Sequence, residues 1–128
     1  MKNTTLKLNE LSGIIVDTAY HIHKELGSGL LEIVYEVILK RQLQKKGLSV
    51  ERQKPVPIIY EGVSFDEGFR ADLIVEKQII IKLKSVETLA PLHSKQLLTY
   101  LRLLDFRLGL LLNFGAPLMK DGIIRIVN

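Results

Sequence analysis

The sequence predicts an α/β domain in which a mixed β-sheet is flanked by helices, with the element order ααβββαββ. Apolar residues recur at helical spacing in the first part of the chain and later follow the two-residue alternation of strands. Residues 107–114 are almost wholly apolar, which is typical of a central strand covered on both faces. Together these patterns indicate a layered sandwich of helices on a sheet.

Two helices are predicted at the start of the chain, over residues 9–26 and 30–46. The first carries one apolar stripe, with Asn9 as its expected N-cap. Residues 1–8 before it are expected to form a loose or edge-strand lead-in. A Gly-Ser-Gly turn separates the two helices, and Gly47, preceded by two lysines, ends the second helix.

The remaining elements follow from the change of period after the second helix. A glutamate-glycine turn separates the first two strands, and a proline precedes the third helix. The predicted strands span residues 49–60, 69–75, 79–86, 107–114 and 123–127, and the third helix spans residues 93–104.

Composition limits the class of protein. The chain has 128 residues, of which 47% are hydrophobic, and this fits one globular domain over residues 1–128. No apolar run approaches the roughly 18 residues that would cross a bilayer, and we see no signal peptide, so a cytoplasmic location is expected. The absence of Cys excludes a disulfide framework. The net charge of +4 permits nucleic-acid binding, although an ordinary basic surface would account for it equally well.

Three charged residues stand out because they lie within otherwise apolar predicted strands. Lys82 and Lys84 are two positions apart and therefore project from the same face of their strand. The hairpin between the second and third strands can place Asp72 beside them. Burying an acid and two lysines is costly unless they are paired. They therefore indicate either a satisfied polar cluster or a functional pocket.

Several separated segments, in a fixed order, carry a resemblance to a known family. They are residues 23–27 (HKELG), 29–35 (GLLEIVY), 60–62 (YEG), 70–72 (RAD), 96–100 (QLLTY), 110–115 (LLLNFG) and 122–125 (GIIR). In these segments the chain resembles the GxxExxY family of small bacterial and archaeal proteins. That family is similar in its motifs to RecB-type nucleases of the PD-(D/E)xK superfamily, a restriction-endonuclease-like fold.

The resemblance implies an αβββαβ core and assigns expected roles to individual residues. Glu32 would be the acid of the first core helix, Asp72 the motif aspartate and Lys84 the motif lysine. Gln96 and Tyr100 would be the supporting pair on the later helix. If a metal binds, the resemblance implies Mg²⁺ or Mn²⁺ held by Asp72 and Glu32.

The sequence departs from the family pattern at one important position. The pattern has an acid two residues before the motif lysine, whereas this chain has Lys82 there. A unit-charge interaction at about 4 Å and an effective dielectric near 20 is worth about 4 kcal/mol, so the exchange reverses a large contribution to metal binding. We therefore expect no cofactor, and we expect Lys82 to act as a built-in cation that bridges Asp72 and Glu32. Two alternatives stay open: Glu76 or Glu87 replaces the missing acid, or position 82 was altered from that of an active ancestor.

Three functional hypotheses follow. The first is a nuclease-fold protein that binds DNA or RNA with weak or absent cleavage, and the second is an active Mg²⁺-dependent nuclease with a substitute carboxylate. In either case Arg70 and Lys95 are candidates for contact with phosphate, although solvated charges are the simpler interpretation. The third is an interaction scaffold that forms a homodimer through apolar helix surface or an open sheet edge.

Overall fold

The computed structural model describes residues 7–128, which form one five-stranded sheet with helices on both of its faces. The helices are α1 (Leu8–Leu26), α2 (Glu32–Lys45) and α3 (Pro91–Leu104), with a short 3-10 helix at Met119–Gly122. The strands are β1 (Val50–Tyr60), β2 (Val63–Val75), β3 (Ile79–Lys84), β4 (Leu108–Asn113) and β5 (Ile123–Val127). The predicted fold class and order of helices and strands are confirmed.

The strands lie in the sheet in the order in which they occur in the chain. β1, β2 and β3 pair antiparallel, and β4 pairs antiparallel with β5. β3 and β4 are parallel, so the chain must cross from one end of the sheet to the other between them. α3 makes this crossover, as a parallel pair requires.

The sheet separates two apolar layers because strand side chains alternate between its faces. Ile79, Ile81 and Leu83 of β3 pack with α1 and α2, whereas Ile80 packs against α3. All six residues of β4 are buried, which agrees with its prediction as a doubly covered strand. None of the helices within residues 7–128 combines the length and the apolar character needed to cross a bilayer.

Helix boundaries differ from the predictions by one or two residues. The N-cap of α1 is Lys7 rather than Asn9, because the Glu10 carboxylate accepts the Lys7 backbone N–H at 3.2 Å. Asn9 instead accepts a hydrogen bond from Arg125 on β5. The predicted lead-in lies mainly outside the described residues, and its last residue, Leu8, is helical.

The largest difference from prediction is the length of β2, which begins at Val63 rather than at residue 69. It pairs with β3 only from Leu73 to Val75, while its remaining length pairs with β1. The register between β1 and β2 shifts where residues 66–68 of β2 bulge opposite Pro57. The outer part of this hairpin therefore extends beyond the other strands, and we call residues 57–68 the β1–β2 arm.

Candidate active site

Asp72 lies where β2 separates from β3. The last pair between the two strands is Leu73 with Ile81, so the next backbone groups of β3 lose their neighbour. The Asp72 carboxylate replaces that neighbour, since its Oδ2 accepts the Leu83 N–H at 2.7 Å. Asp72 is only 9% exposed, and this hydrogen bond satisfies an amide that would otherwise be buried without a partner.

Lys82 is the cation beside this carboxylate. Its Nζ lies 3.6 Å from Asp72 Oδ1, and the two side chains are 17% and 12% exposed. The predicted meeting of Asp72 with Lys82 is therefore present in the structure. The predicted second contact is not: within residues 7–128, Lys82 forms an ion pair with Asp72 and none with Glu32.

The charge of Asp72 is set by competing effects. Burial raises the pKa of the Asp72 carboxyl above its usual value, and the negative charges of Glu36 and Glu32 act in the same direction. The hydrogen bond from the Leu83 N–H and the charge of Lys82 oppose this rise. Burial is the largest of these effects, so Lys82 compensates for only part of the cost of placing a carboxylate here.

Glu36 is a buried acid of this region that the sequence analysis missed. It is 5% exposed, and both of its carboxylate oxygens accept hydrogen bonds from Gln53 Nε2, at 3.0 and 2.9 Å. Arg52 Nε lies 2.5 Å from Glu36 Oε2 but lacks hydrogen-bond geometry, so this contact is an ion pair. These contacts fasten α2 to the beginning of β1.

The segment around Glu32 is held in place by Tyr35. The buried Tyr35 hydroxyl donates to the Gly27 carbonyl and accepts the Leu30 N–H at 3.2 Å, which closes the loop between α1 and α2. Its ring stacks on Phe114 with centroids 4.4 Å apart. Glu32 itself is exposed, and it is close enough to Asp72 for its charge to raise the pKa of that group.

Lys84 is on the same strand face as Lys82 but belongs to a second, cationic group. Burial lowers the pKa of His93 at the beginning of α3, and the charges of Lys84 and Lys82 lower it further. His93 Nδ1 also accepts the Ala90 N–H at 3.2 Å, a bond that requires Nδ1 to be unprotonated. Lys84 and Lys82 thus form the positive side of the site, with the His93 ring next to them.

A cleft of about 430 Å³ opens beside Asp72 and Lys82. Tyr100 of α3 forms part of its wall, and its ring lies 4.6 Å from that of Phe69. Burial raises the pKa of the Tyr100 hydroxyl. The cleft is lined by Gln53, Pro55, Asp66, Glu67, Gly68, Phe69, Arg70, Asp72, Lys82 and Tyr100.

Of the other predicted site residues, one lines the cleft and two do not. Arg70 lies at the cleft and donates to the Gln53 carbonyl at 3.2 Å. Gln96 is half-buried on α3 and does not line the cleft, and Lys95 is exposed beside it. Their predicted roles toward a substrate remain predictions.

The donor groups fit a divalent metal ion poorly. Among residues 7–128, no three His, Asp or Glu side chains are grouped closely enough to hold a metal. Of the two substitute acids considered from the sequence, Glu76 accepts the Ser49 N–H at 2.6 Å and Glu87 is exposed. The acids that do line the cleft beside Asp72 are Asp66 and Glu67, which come from the unpredicted bulge of β2.

Comparison with known proteins agrees with this architecture. The family model described as the PD-(D/E)XK nuclease superfamily matches residues 9–126, nearly the whole chain. Neither the curated proteins nor the solved structures provide a significant match. The matched range covers every strand and helix except the first residue of α1 and the last residue of β5, and it includes Glu32, Asp72 and Lys84. The chain therefore belongs to the PD-(D/E)XK nuclease superfamily.

Proposed function

We propose that this protein binds nucleic acid through a nuclease-like cleft and cleaves phosphodiesters weakly or not at all. The contact between Lys82 and Asp72 carries the proposal. Their charged atoms lie 3.6 Å apart in a largely buried position, at the point where the family pattern has an acid. A fixed ammonium group then occupies the environment that a metal ion would need.

The chemistry of the remaining groups supports a site without a metal. Both oxygens of Asp72 are engaged, one by the Leu83 N–H and one by Lys82. Both oxygens of Glu36 accept from Gln53. Mg²⁺ is usually held by one or two carboxylates together with several waters in octahedral geometry, and neither of these two carboxylates has an oxygen free of another contact. When bound, such an ion would activate water and stabilise charge on the phosphate.

The cationic side of the site supports contact with phosphate. Lys84 and His93 lie together at the end of β3 and the beginning of α3. We infer that the nucleic-acid backbone passes along this side and away from Asp66 and Glu67, whose charges would repel it. Whether the ligand is DNA or RNA is decided by direct comparison of the two.

The sharpest test restores the missing acid. In Lys82→Glu the ion pair is lost and a carboxylate faces Asp72, so we expect Mn²⁺ and Mg²⁺ to bind this variant and not the original chain. Isothermal titration measures both, and Lys82→Met is the matched control because it removes the cation without adding a ligand. Clear metal binding by the original chain, lost in Asp72→Ala, would contradict the proposal.

Nucleic-acid binding and cleavage are tested separately. We expect labelled single- and double-stranded DNA and RNA to bind with an affinity that falls steeply with salt, and we expect no cleavage with Mg²⁺ or Mn²⁺. The absence of binding at low salt to all four ligands would refute the binding part of the proposal.

A second candidate is an active Mg²⁺-dependent nuclease, for which Asp66 and Glu67 at the cleft are the supporting observation. Metal-dependent cleavage that is abolished by both Asp72→Ala and Asp66→Ala would select it.

We also infer that the chain is of the GxxExxY type, because Tyr35 of that signature secures the loop before Glu32.

A further inference from the structure

Exposed apolar side chains are concentrated in two places. Of the fifteen large hydrophobic residues exposed within residues 7–128, nine lie in two surfaces. On the β1–β2 arm they are Ile59, Tyr60, Val63 and Phe65. At the beginning of α2 they are Leu30, Leu31, Ile33, Val34 and Val37, which we call the α2 patch. Single exposed apolar residues are ordinary, but contiguous groups mark interaction surfaces.

The arm presents a continuous apolar face. Ile58 pairs with Phe65, and Tyr60 pairs with Val63. Directly opposed residues of an antiparallel pair project to the same side, so Ile58, Tyr60, Val63 and Phe65 share one face of the ribbon. Ile59, which pairs with Ser64, projects from the other face. A two-stranded ribbon by itself is at best marginally stable in water. The arm would therefore gain stability from a partner that covers this face.

The charge of the arm indicates what kind of partner fits. Between Pro55 and Phe69 the chain has three acids, Glu61, Asp66 and Glu67, and no Lys or Arg. This contrasts with the net charge of +4 for the whole chain. Phosphate would be repelled by such a ribbon, whereas a protein surface that is apolar and basic would be complementary to it.

The outer side of α2 has those two properties. Ile33, Val37 and Arg41 follow one another at four-residue spacing and are all exposed, so they form one stripe. Lys45, also exposed, follows Arg41 by another four residues. The stripe is thus apolar at the beginning of the helix and basic towards its end.

The two surfaces lie at the same end of the molecule. β1 and β3 run in the same direction, since each is antiparallel to β2, so the arm projects beyond the end where β3 finishes. Ser85, immediately after β3, donates its hydroxyl hydrogen to the Leu30 carbonyl at 2.8 Å. α2 therefore begins at that end as well.

The dimensions of the two surfaces also agree. Eight residues of helix separate Ile33 from Arg41, which is about 12 Å at 1.5 Å per residue. Three residues of strand separate Ile58 from the turn residue Glu61, which is about 10 Å. An arm laid along α2 of another copy would match apolar residues with apolar residues and Glu61 with Arg41.

We propose that two copies of this chain associate end to end about a two-fold axis, each arm lying along the α2 patch of the other. Both contacts form in one closed dimer, since a two-fold axis repeats each contact. The arm shares Asp66 and Glu67 with the wall of the cleft, but the proposed contacts use neither of them. Because both surfaces also exclude Lys82, Lys84 and His93, this inference does not depend on the proposed binding of nucleic acid.

A charge exchange tests the pairing of Glu61 with Arg41. In Glu61→Arg alone, or Arg41→Glu alone, like charges face each other twice per dimer, and we expect the dissociation constant to rise about tenfold or more. An equimolar mixture of the two variants restores both opposite-charge contacts, so a heterodimer should form with nearly the original affinity. Sedimentation equilibrium measures the original chain, the two variants and their mixture, and circular dichroism checks that each exposed substitution leaves the fold intact.

Apolar variants provide a second, independent test of the dimer. Val63→Ser on the arm and Val37→Ser on α2 should each weaken the dimer, whereas Val127→Ser, an exposed valine on β5 outside both surfaces, should not. A chain that stays monomeric at its highest soluble concentration would overturn the proposal. So would a dimer that is unaffected by Glu61→Arg and Arg41→Glu, or a mixture that fails to recover affinity.

Discussion

At the scale of single residues, Asp72 has two partners of different kinds. Its Oδ2 accepts a backbone hydrogen bond from Leu83, and its Oδ1 faces the Lys82 ammonium group. The first contact is available to any acceptor of similar shape, whereas the second requires a negative charge. Replacing Asp72 by a neutral residue of the same shape therefore separates the contributions that these two contacts make to stability.

Asp72→Asn makes this separation measurable as a function of pH. Burial raises the folded-state pKa of Asp72 above 3.8, so the folded state binds more protons than the unfolded state above that value. The free energy of unfolding contributed by Asp72 should thus fall as pH rises from about 3.8 through the folded pKa. Asn keeps the acceptor for Leu83 and does not titrate.

Urea unfolding of both proteins across this pH range provides the measurement. We expect the stability of the original chain relative to Asp72→Asn to decline with rising pH and then to become constant. A relative stability that grows with pH would mean that the Leu83 hydrogen bond and the Lys82 ion pair together outweigh the cost of burial.

The residues of the site were predictable to different degrees for a physical reason. The meeting of Asp72 with Lys82 follows from strand alternation and a short hairpin, both of which are local in sequence. Glu36 was missed because its partners, Arg52 and Gln53, belong to another element. Within its helix, Glu36 follows the buried Tyr35, and the spacing of the neighbouring apolar residues does not distinguish it from a solvent-exposed acid.

At the scale of elements, Asn113 joins the end of β4 to the segment after β3. Its Oδ1 accepts the Val86 and Gly115 N–H groups, each at 3.0 Å, and its Nδ2 donates to the Val86 carbonyl at 2.9 Å. The side chain thus acts as a short extra piece of strand. It fixes the path by which the chain leaves Lys84 towards α3.

Asn113→Ala should cost about 2 kcal/mol of unfolding free energy, because three hydrogen bonds are lost in a largely buried place. Asn113→Asp is the comparison: it keeps the acceptor for two N–H groups but buries a carboxylate against the Val86 carbonyl, so we expect a loss at least as large at neutral pH. The loss should be smaller in acid, where the protonated carboxyl can donate to that carbonyl. Chemical denaturation ranks the three proteins. Equal stability of Asn113→Ala and the original chain would show that water replaces these contacts without cost.

The elements themselves were largely predictable, because apolar spacing reports burial directly. The exception is the outer half of β2. Nearly every residue there is exposed, and Phe65 is a single aromatic residue between the turn before Val63 and the acids Asp66 and Glu67. A strand held by backbone pairing with β1 alone has no buried face to impose a period. Its bulge at residues 66–68 further interrupts the alternation.

At the scale of the whole molecule, charge is divided between the arm and the rest of the chain. The arm region carries three acids without a base, although basic residues exceed acidic ones by four overall. The acidic bulge lines the cleft beside Asp72, whereas Lys84 is not part of that lining and lies near His93. A polyanion is expected to approach one side of the molecule only.

Lys84→Ala tests this polarity if nucleic acid binds. Removing one phosphate contact should reduce the slope of log affinity against log salt by about one. Lys24→Ala on α1, an exposed lysine outside the group of Lys82, Lys84 and His93, is the control and should leave the slope unchanged. Equal effects of the two substitutions would indicate that binding follows net charge rather than this site.

The separation of β2 from β3 has a consequence for how chains of this kind are compared. Because the Leu83 amide needs an acceptor where the strands part, an aspartate at position 72 contributes to folding whether or not an ion is present. A protein with this fold can therefore retain this aspartate for stability even if it does not cleave nucleic acid. Under the proposed function, the side chain that separates a metal-binding member of the family from a metal-free one is the one opposite, at position 82. Within residues 7–128 that side chain contacts the Asp72 carboxylate and satisfies no backbone group.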